Sequence, residues 1–314
     1  MKTTFSYRAY GLEIGSELPL PELPAGRRHS DTWIRFGKVK WPGPIDQNLP
    51  YNFLVDENSI YLSWQEAGRF LIREGREIIV DPLLGIDEAI IRLLLAGILG
   101  VLLYQRGVLT IHASVVAIDN ESAVAFLGDK GWGKSTLAAA LHTQGHSFLS
   151  DDLLAIDFKP ARPPEVRPGF PQLKLWPDSV YCLGGDATRL ARLHPDFEKR
   201  ASPVTRNFAC NAFALRSLYV LSHGTTVGLE ALPVQSALTE VVRHSQATRF
   251  LRDQGNAPRH FLQCAKLVNE VPLYQLRRPN DLNHVSDLCT LIEEHCHTST
   301  LSNQPPMTWV PSCG

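Results

Sequence analysis

Residues 128–136 bring together the groups that hold a polyphosphate. They read Gly128, Asp129, Lys130, Gly131, Trp132, Gly133, Lys134, Ser135 and Thr136, which fits G-x-x-x-x-G-K-[ST]. Each part has its own physical task. The glycines let backbone N–H groups close around phosphate oxygens. Lys134 adds a point charge near the terminal phosphates, and Ser135 offers a hydroxyl to Mg²⁺. Such a loop works only between a strand and a helix, because the helix N-terminus must aim its free N–H groups at the anion. The flanking sequence predicts that arrangement. Ala123–Leu127 is a short apolar run that reads as a buried strand. Residues 136–141 are rich in helix formers, and Gly145 suits the helix stop.

Seventeen residues after Lys134 stands the pair Asp151–Asp152, at the end of a predicted strand over Ser147–Ser150 that Leu153–Ile156 could continue. Two carboxylates beside a phosphate site suit two tasks: holding Mg²⁺, and accepting a proton from an attacking hydroxyl. Upstream, residues 107–118 read as one long strand or two short ones, with His112 near the middle. A lone histidine on a strand is more often a packed core residue than a proton shuttle.

Taken together, the histidine strand, the glycine loop, the short helix and the Asp151–Asp152 pair resemble the HPr kinase/phosphorylase superfamily. The resemblance implies an α/β fold, with a P-loop kinase core of the HPr kinase and phosphoenolpyruvate carboxykinase type over residues 83–297. Its implied cofactors are ATP and Mg²⁺. It also implies roles: Lys134 on the nucleotide phosphates, Ser135 and Asp152 on the metal, Asp151 as general base, and His112 in support of Asp151. No segment like that family's signature follows the acid pair. Instead, residues 168–178, the Arg106–Ser114 strand and the start at Tyr7–Ser16 are similar to HPr-kinase-related proteins of peptide-modification clusters, including lasso peptide kinases. That subgroup implies phosphorylation of a serine hydroxyl on a peptide or protein, with the C-terminal serine of a ribosomal precursor peptide as acceptor.

The whole chain narrows the classes further. Its 314 residues are 44% hydrophobic, enough for a sizeable core, and its net charge of −1 gives no basic excess to attract nucleic acid. Arginine pairs such as Arg277–Arg278 read as solvated surface. The most apolar run, Leu93–Leu103, is eleven residues long, too short to span a bilayer, and reads as part of a buried helix over Asp87–Gln105. The N-terminus lacks the apolar segment of a signal peptide. The six cysteines form no C-x-x-C and suggest reduced thiols. These features point to a cytoplasmic protein with no membrane partner; homo-oligomerisation is left open. His295–Cys296–His297 does not read as a metal site, since successive helical residues point apart.

Along the chain, residues 1–82 read as a β-rich accessory domain, with segments such as Tyr7–Ile14, Thr32–Val39 and Ser59–Trp64 separated by turn residues. Residues 159–169 read as a surface loop. Lys174 and Trp176 could line a substrate edge. One cation among Lys174, Lys199, Arg200 and Arg206 is expected to complete the site. Helices are expected over Ser236–Arg252, Arg259–Glu270 and Leu282–His295, and a loose tail over 298–314. Two other readings stand beside the peptide kinase. One is a kinase for a small-molecule hydroxyl; the other is a non-catalytic ATP-binding regulatory subunit.

Overall fold

A computed structural model of the chain describes residues 3–27, 29–246 and 257–302. It is a mixed α/β protein built on three sheets. The first sheet uses β1 (Phe5–Ala9), β2 (Leu12–Ser16), β3 (Thr32–Phe36), β4 (Tyr51–Asp56), β5 (Ser59–Trp64), β6 (Gly68–Arg73) and β7 (Glu77–Pro82), in the order β1-β2-β3-β7-β6-β5-β4. The expected single strand over Tyr7–Ile14 is instead a hairpin. Tyr10 and Gly11 both take positive φ, 53° and 78°. That two-residue turn matches the twist of the paired strands and reverses the chain.

Helix α1 (Glu88–Gln105) follows, with Asp87 accepting from Ala89 N at its start. Its Ile91, Leu95, Leu99 and Leu102 are buried in one cluster with Ile14, Ile60, Phe70 and Ile78 of the first sheet. The division drawn at residue 82 therefore cuts through a shared core. By length and composition α1 could cross a membrane, and its place in this core accounts for that apolarity.

The second sheet carries the chemistry. It contains β8 (Leu109–Ile111), β9 (Ser114–Ala117), β10 (Ser122–Leu127), β11 (Phe148–Ser150), β12 (Leu154–Asp157), β13 (Glu165–Val166), β17 (Phe213–His223), β18 (Gly228–Ala231) and β19 (Leu273–Arg278). Its order is β11-β9-β10-β17-β13-β12-β8, with β19 alongside β17 and β18 beyond it. From Ala123 to Leu127 strand β10 is apolar, because both its faces are covered. Ala123, Ala125 and Leu127 join a core with α4 (Val234–His244) and α5 (Ala257–Glu270). Val124 and Phe126 join one with α2 (Lys134–Thr143) and α6 (Val285–Ser302). The third sheet, β14 (Gln172–Leu175), β15 (Arg192–His194) and β16 (Phe197–Pro203), lies against α2, next to the short helix α3 (Pro177–Cys182).

Two breaks matter most. Residues 107–118 form two strands: β8 pairs with β12, whereas β9 pairs with β10 and β11. The strand after the loop helix is broken too, between β11 and β12, and the break is the acid pair itself. Elsewhere, the expected loop over 159–169 contains β13, which pairs with β12 and β17. Helix α4 ends at His244, and 247–252 of the expected helix lie outside the described residues. Helix α6 runs through Ser302, where a tail from Thr298 was expected; 303–314 also lie outside the described residues.

Candidate functional site

The glycine loop leaves the end of β10 and delivers the chain into α2. Gly128, Gly131 and Gly133 take φ of 145°, 88° and 92°, a region that favours glycine. Gly133 is the N-cap and makes no side-chain cap, so the first N–H groups of α2 have no helical partner. Lys134 is buried and donates from Nζ to the carbonyls of Gly128 (2.7 Å) and Asp129 (3.1 Å). Burial lowers its pKa, while the carboxylates of Asp152 and Asp151 resist that shift. Arg278 fixes the outer wall of the loop by donating from Nε (3.0 Å) and Nη2 (2.7 Å) to Trp132 O. Trp132 also packs its ring against His223, 4.8 Å between centroids. Thr136 is tied to Ser179 at 2.9 Å, and Arg243 pairs with Asp129. Lys130 stands exposed at the rim.

The acid pair divides its work by environment. Asp151 is buried, and both its oxygens are engaged. Oδ1 accepts from Ser114 Oγ (2.6 Å), Ser135 Oγ (2.9 Å) and Asp152 N (3.1 Å), and Oδ2 accepts from Lys174 N (2.9 Å). Burial and the adjacent Asp152 charge raise its pKa, against the pull of those donors. Asp152 takes a positive φ of 67°, which asparagine and aspartate tolerate better than other residues. Its carboxylate meets Lys174 Nζ at 2.8 Å. Burial works against its charge, but the Lys174 ammonium holds the carboxyl well below the usual range. The same pairing raises the Lys174 pKa despite burial.

His112 sits in the gap between β8 and β9. It donates from Nδ1 to Asp152 O at 3.0 Å, and its own N–H bonds to His244 O at 2.8 Å. Burial and the Lys134 charge depress its pKa, so the ring is neutral at pH 7 with a lone pair on Nε2.

A cavity of about 710 Å³ joins these parts. Its lining includes the glycine loop, Lys134, Ser135, Thr136, His112, Asp152, Lys174, Trp176 and Lys199. Asp151 is absent from that wall, and so is Trp132. The sequence expectation gave Asp151 the acceptor side with His112 behind it. In the structure Asp151 sits behind Ser135, and His112 engages Asp152. The lining also has an apolar part, with Tyr51, Leu62 and Trp64 of the first sheet and Leu93 and Leu94 of α1.

The Ser135 hydroxyl on the cavity wall fits a hard cation such as Mg²⁺, with Asp151 behind it accepting that hydroxyl's hydrogen bond. Asp152 is less suited, because the Lys174 ammonium already neutralises it.

Sequence reading missed several groups. Arg278 is buried rather than solvated, and only the fold brings β19 beside the loop. Ser114 and Tyr10 were also unforeseen. Tyr10 OH lies 3.2 Å from Ser150 Oγ, directly behind the acid pair. In the set His295–Cys296–His297, His295 Nδ1 and Cys296 Sγ both meet Tyr219 OH, at 2.8 and 3.5 Å, whereas His297 bonds Glu293 O.

No family model matches the chain, and no curated protein matches it. Among solved structures, it is similar to the HPr(Ser) kinase/phosphatase from Coxiella burnetii, at 14% identity and a TM-score of 0.34, covering 62% of this chain and 97% of that one. That likeness is too slight to carry an argument about activity.

Proposed function

We propose that the protein is an ATP-dependent phosphotransferase that moves the γ-phosphoryl group to a serine hydroxyl of a peptide or protein. One observation carries the reading. A glycine loop with an uncapped helix N-terminus, a lysine, a serine tied to one carboxylate, and a second carboxylate with an adjacent histidine all meet around one cavity. A purely regulatory nucleotide site needs the loop and a cation, but not a further carboxylate on the acceptor side.

In this reading the loop N–H groups and Lys134 hold the phosphates, and Lys134 exchanges its carbonyl partners for phosphate oxygens. Ser135, oriented from behind by Asp151, would hold Mg²⁺, which when bound neutralises phosphate charge. Asp152 accepts the acceptor's hydroxyl proton. Its low pKa makes it a weak base that is ionised at neutral pH, which suits a loose transition state where the proton leaves late. His112 keeps the Asp152 backbone in its unusual conformation through the Nδ1 bond. The apolar wall favours an acceptor presented on a peptide or protein over a free sugar, whose hydroxyls would find few partners there.

The test is intact-mass spectrometry of a serine-ended precursor peptide incubated with the protein and Mg-ATP, beside Asp152→Asn. A phosphate adduct from the wild type alone supports the reading. ATP consumed without an adduct redirects it to another acceptor, and ATP bound without turnover removes it.

A further inference from the structure

We propose that Lys199 is the cation that meets the phosphoryl group in flight, between the loop that holds the nucleotide and the Asp152 carboxylate. The proposal rests on the phosphotransfer reading and names the residue that completes its site.

Four cations compete for this task, and strand register separates them. In the β14–β16 pair, Lys174 stands opposite Ala201 and Leu175 opposite Arg200. Side chains alternate along a strand, so Lys199 shares the face of Ala201 and Lys174. Arg200 belongs to the other face, with buried Leu173 and Leu175. Its guanidinium is bound there to Ala187 O and Glu198. Arg206 is exposed and does not line the cavity. Lys174 lines it, but its charge is spent on Asp152 at 2.8 Å.

Lys199 remains. It is half-buried on the cavity wall, and its charge is felt by Lys134, His112 and Asp152 alike. Among the described residues no carboxylate or carbonyl engages its ammonium. Of the three other lysines of the wall, Lys134 and Lys174 already have partners and Lys130 stands exposed at the rim of the loop, whereas a nucleoside triphosphate brings several negative charges. A long, flexible ammonium is suited to follow charge that moves during the reaction.

The balance of the step is simple. The acceptor oxygen forms a bond to the γ-phosphorus as the bond from that phosphorus to the bridging oxygen breaks. ADP leaves with the electron pair, and the acceptor proton passes to Asp152. Lys199 keeps its protons and supplies charge and hydrogen bonds to the equatorial oxygens.

The experiment measures Mg-ADP affinity by calorimetry with and without aluminium fluoride, a planar mimic of the phosphoryl in flight. It uses the wild type, Lys199→Gln and Lys199→Arg. The wild type is expected to bind more tightly with fluoride. Lys199→Gln should bind Mg-ADP alone as the wild type does, yet lose about tenfold to a hundredfold of the fluoride-dependent tightening. Lys199→Arg should regain part of it. Equal tightening in Lys199→Gln and wild type overturns the role of Lys199 alone. A wild type that binds Mg-ADP without any tightening sinks the phosphotransfer reading, and the proposal falls with it. The two failures are distinguishable because the second shows in the unmutated protein.

Discussion

Asp151 and Asp152 are neighbours with opposite shifts, and the difference makes separate predictions. Asp152→Asn retains a side chain that tolerates positive φ, so the backbone should hold. Transfer should fall by about 10²–10⁴ in rate while nucleotide affinity stays close to that of the wild type, checked by turnover and calorimetry. Asp151→Asn should instead change the Mg²⁺ concentration needed for half-maximal activity, because Ser135 loses the carboxylate that orients it. A pH effect follows from the Asp152–Lys174 pair. The folded pKa of Asp152 lies below its unfolded value, so its contribution is fully present above about pH 4. It is lost as the pH falls through the folded value. Replacing Lys174 with methionine removes the partner that holds the pKa down, so the acid limb of thermal stability should move to higher pH. Monitoring Tm against pH from 2 to 7 would show it; an unmoved limb would mean that the pair does not set it. These distinctions were not legible in the sequence. The sequence shows two carboxylates in a row, but which one faces the cavity depends on Ser114, Ser135 and the backbone of Lys174, which come from three other elements.

At the scale of elements, much more was legible. The apolar run of β10, the glycines and the helix formers of α2 specify the strand-loop-helix unit locally. The strand breaks at His112 and at the acid pair were harder to foresee, because each half pairs with a different neighbour. Arg278 lay beyond sequence reasoning, since β19 reaches the loop from 146 residues away. Its role can be measured. Arg278→Met should leave the Trp132 carbonyl unanswered and weaken Mg-ATP binding about tenfold or more. Gly133→Ala tests the same corner from the other side. Its φ of 92° strains any side chain, and a Cβ would lie 3.3 Å from Arg278 Nη2. The cost should be about 1–3 kcal/mol in unfolding free energy, read by denaturant titration.

The whole molecule joins its parts more closely than the sequence suggested. A β-rich segment followed by an apolar helix looks separable when read in order, because sequence patterns do not reveal which face meets which. The structure buries the apolar face of α1 against the first sheet. Leu99→Ala should therefore cost about 2–5 kcal/mol and lower one common unfolding transition. Two resolved transitions in calorimetry would contradict the shared core.

The contact between Tyr10 and Ser150 has a consequence in time. It joins residues 140 positions apart in the chain and seats the first hairpin directly behind the acidic turn. Loop closure over such a span comes at a late stage of folding, after local units such as the glycine loop and its helix can form. The loop can thus exist in a partly folded chain before the carboxylates are locked in place. Competence to grip a phosphate would then precede competence to transfer it, and the earliest-made residues would be among the last to complete the site.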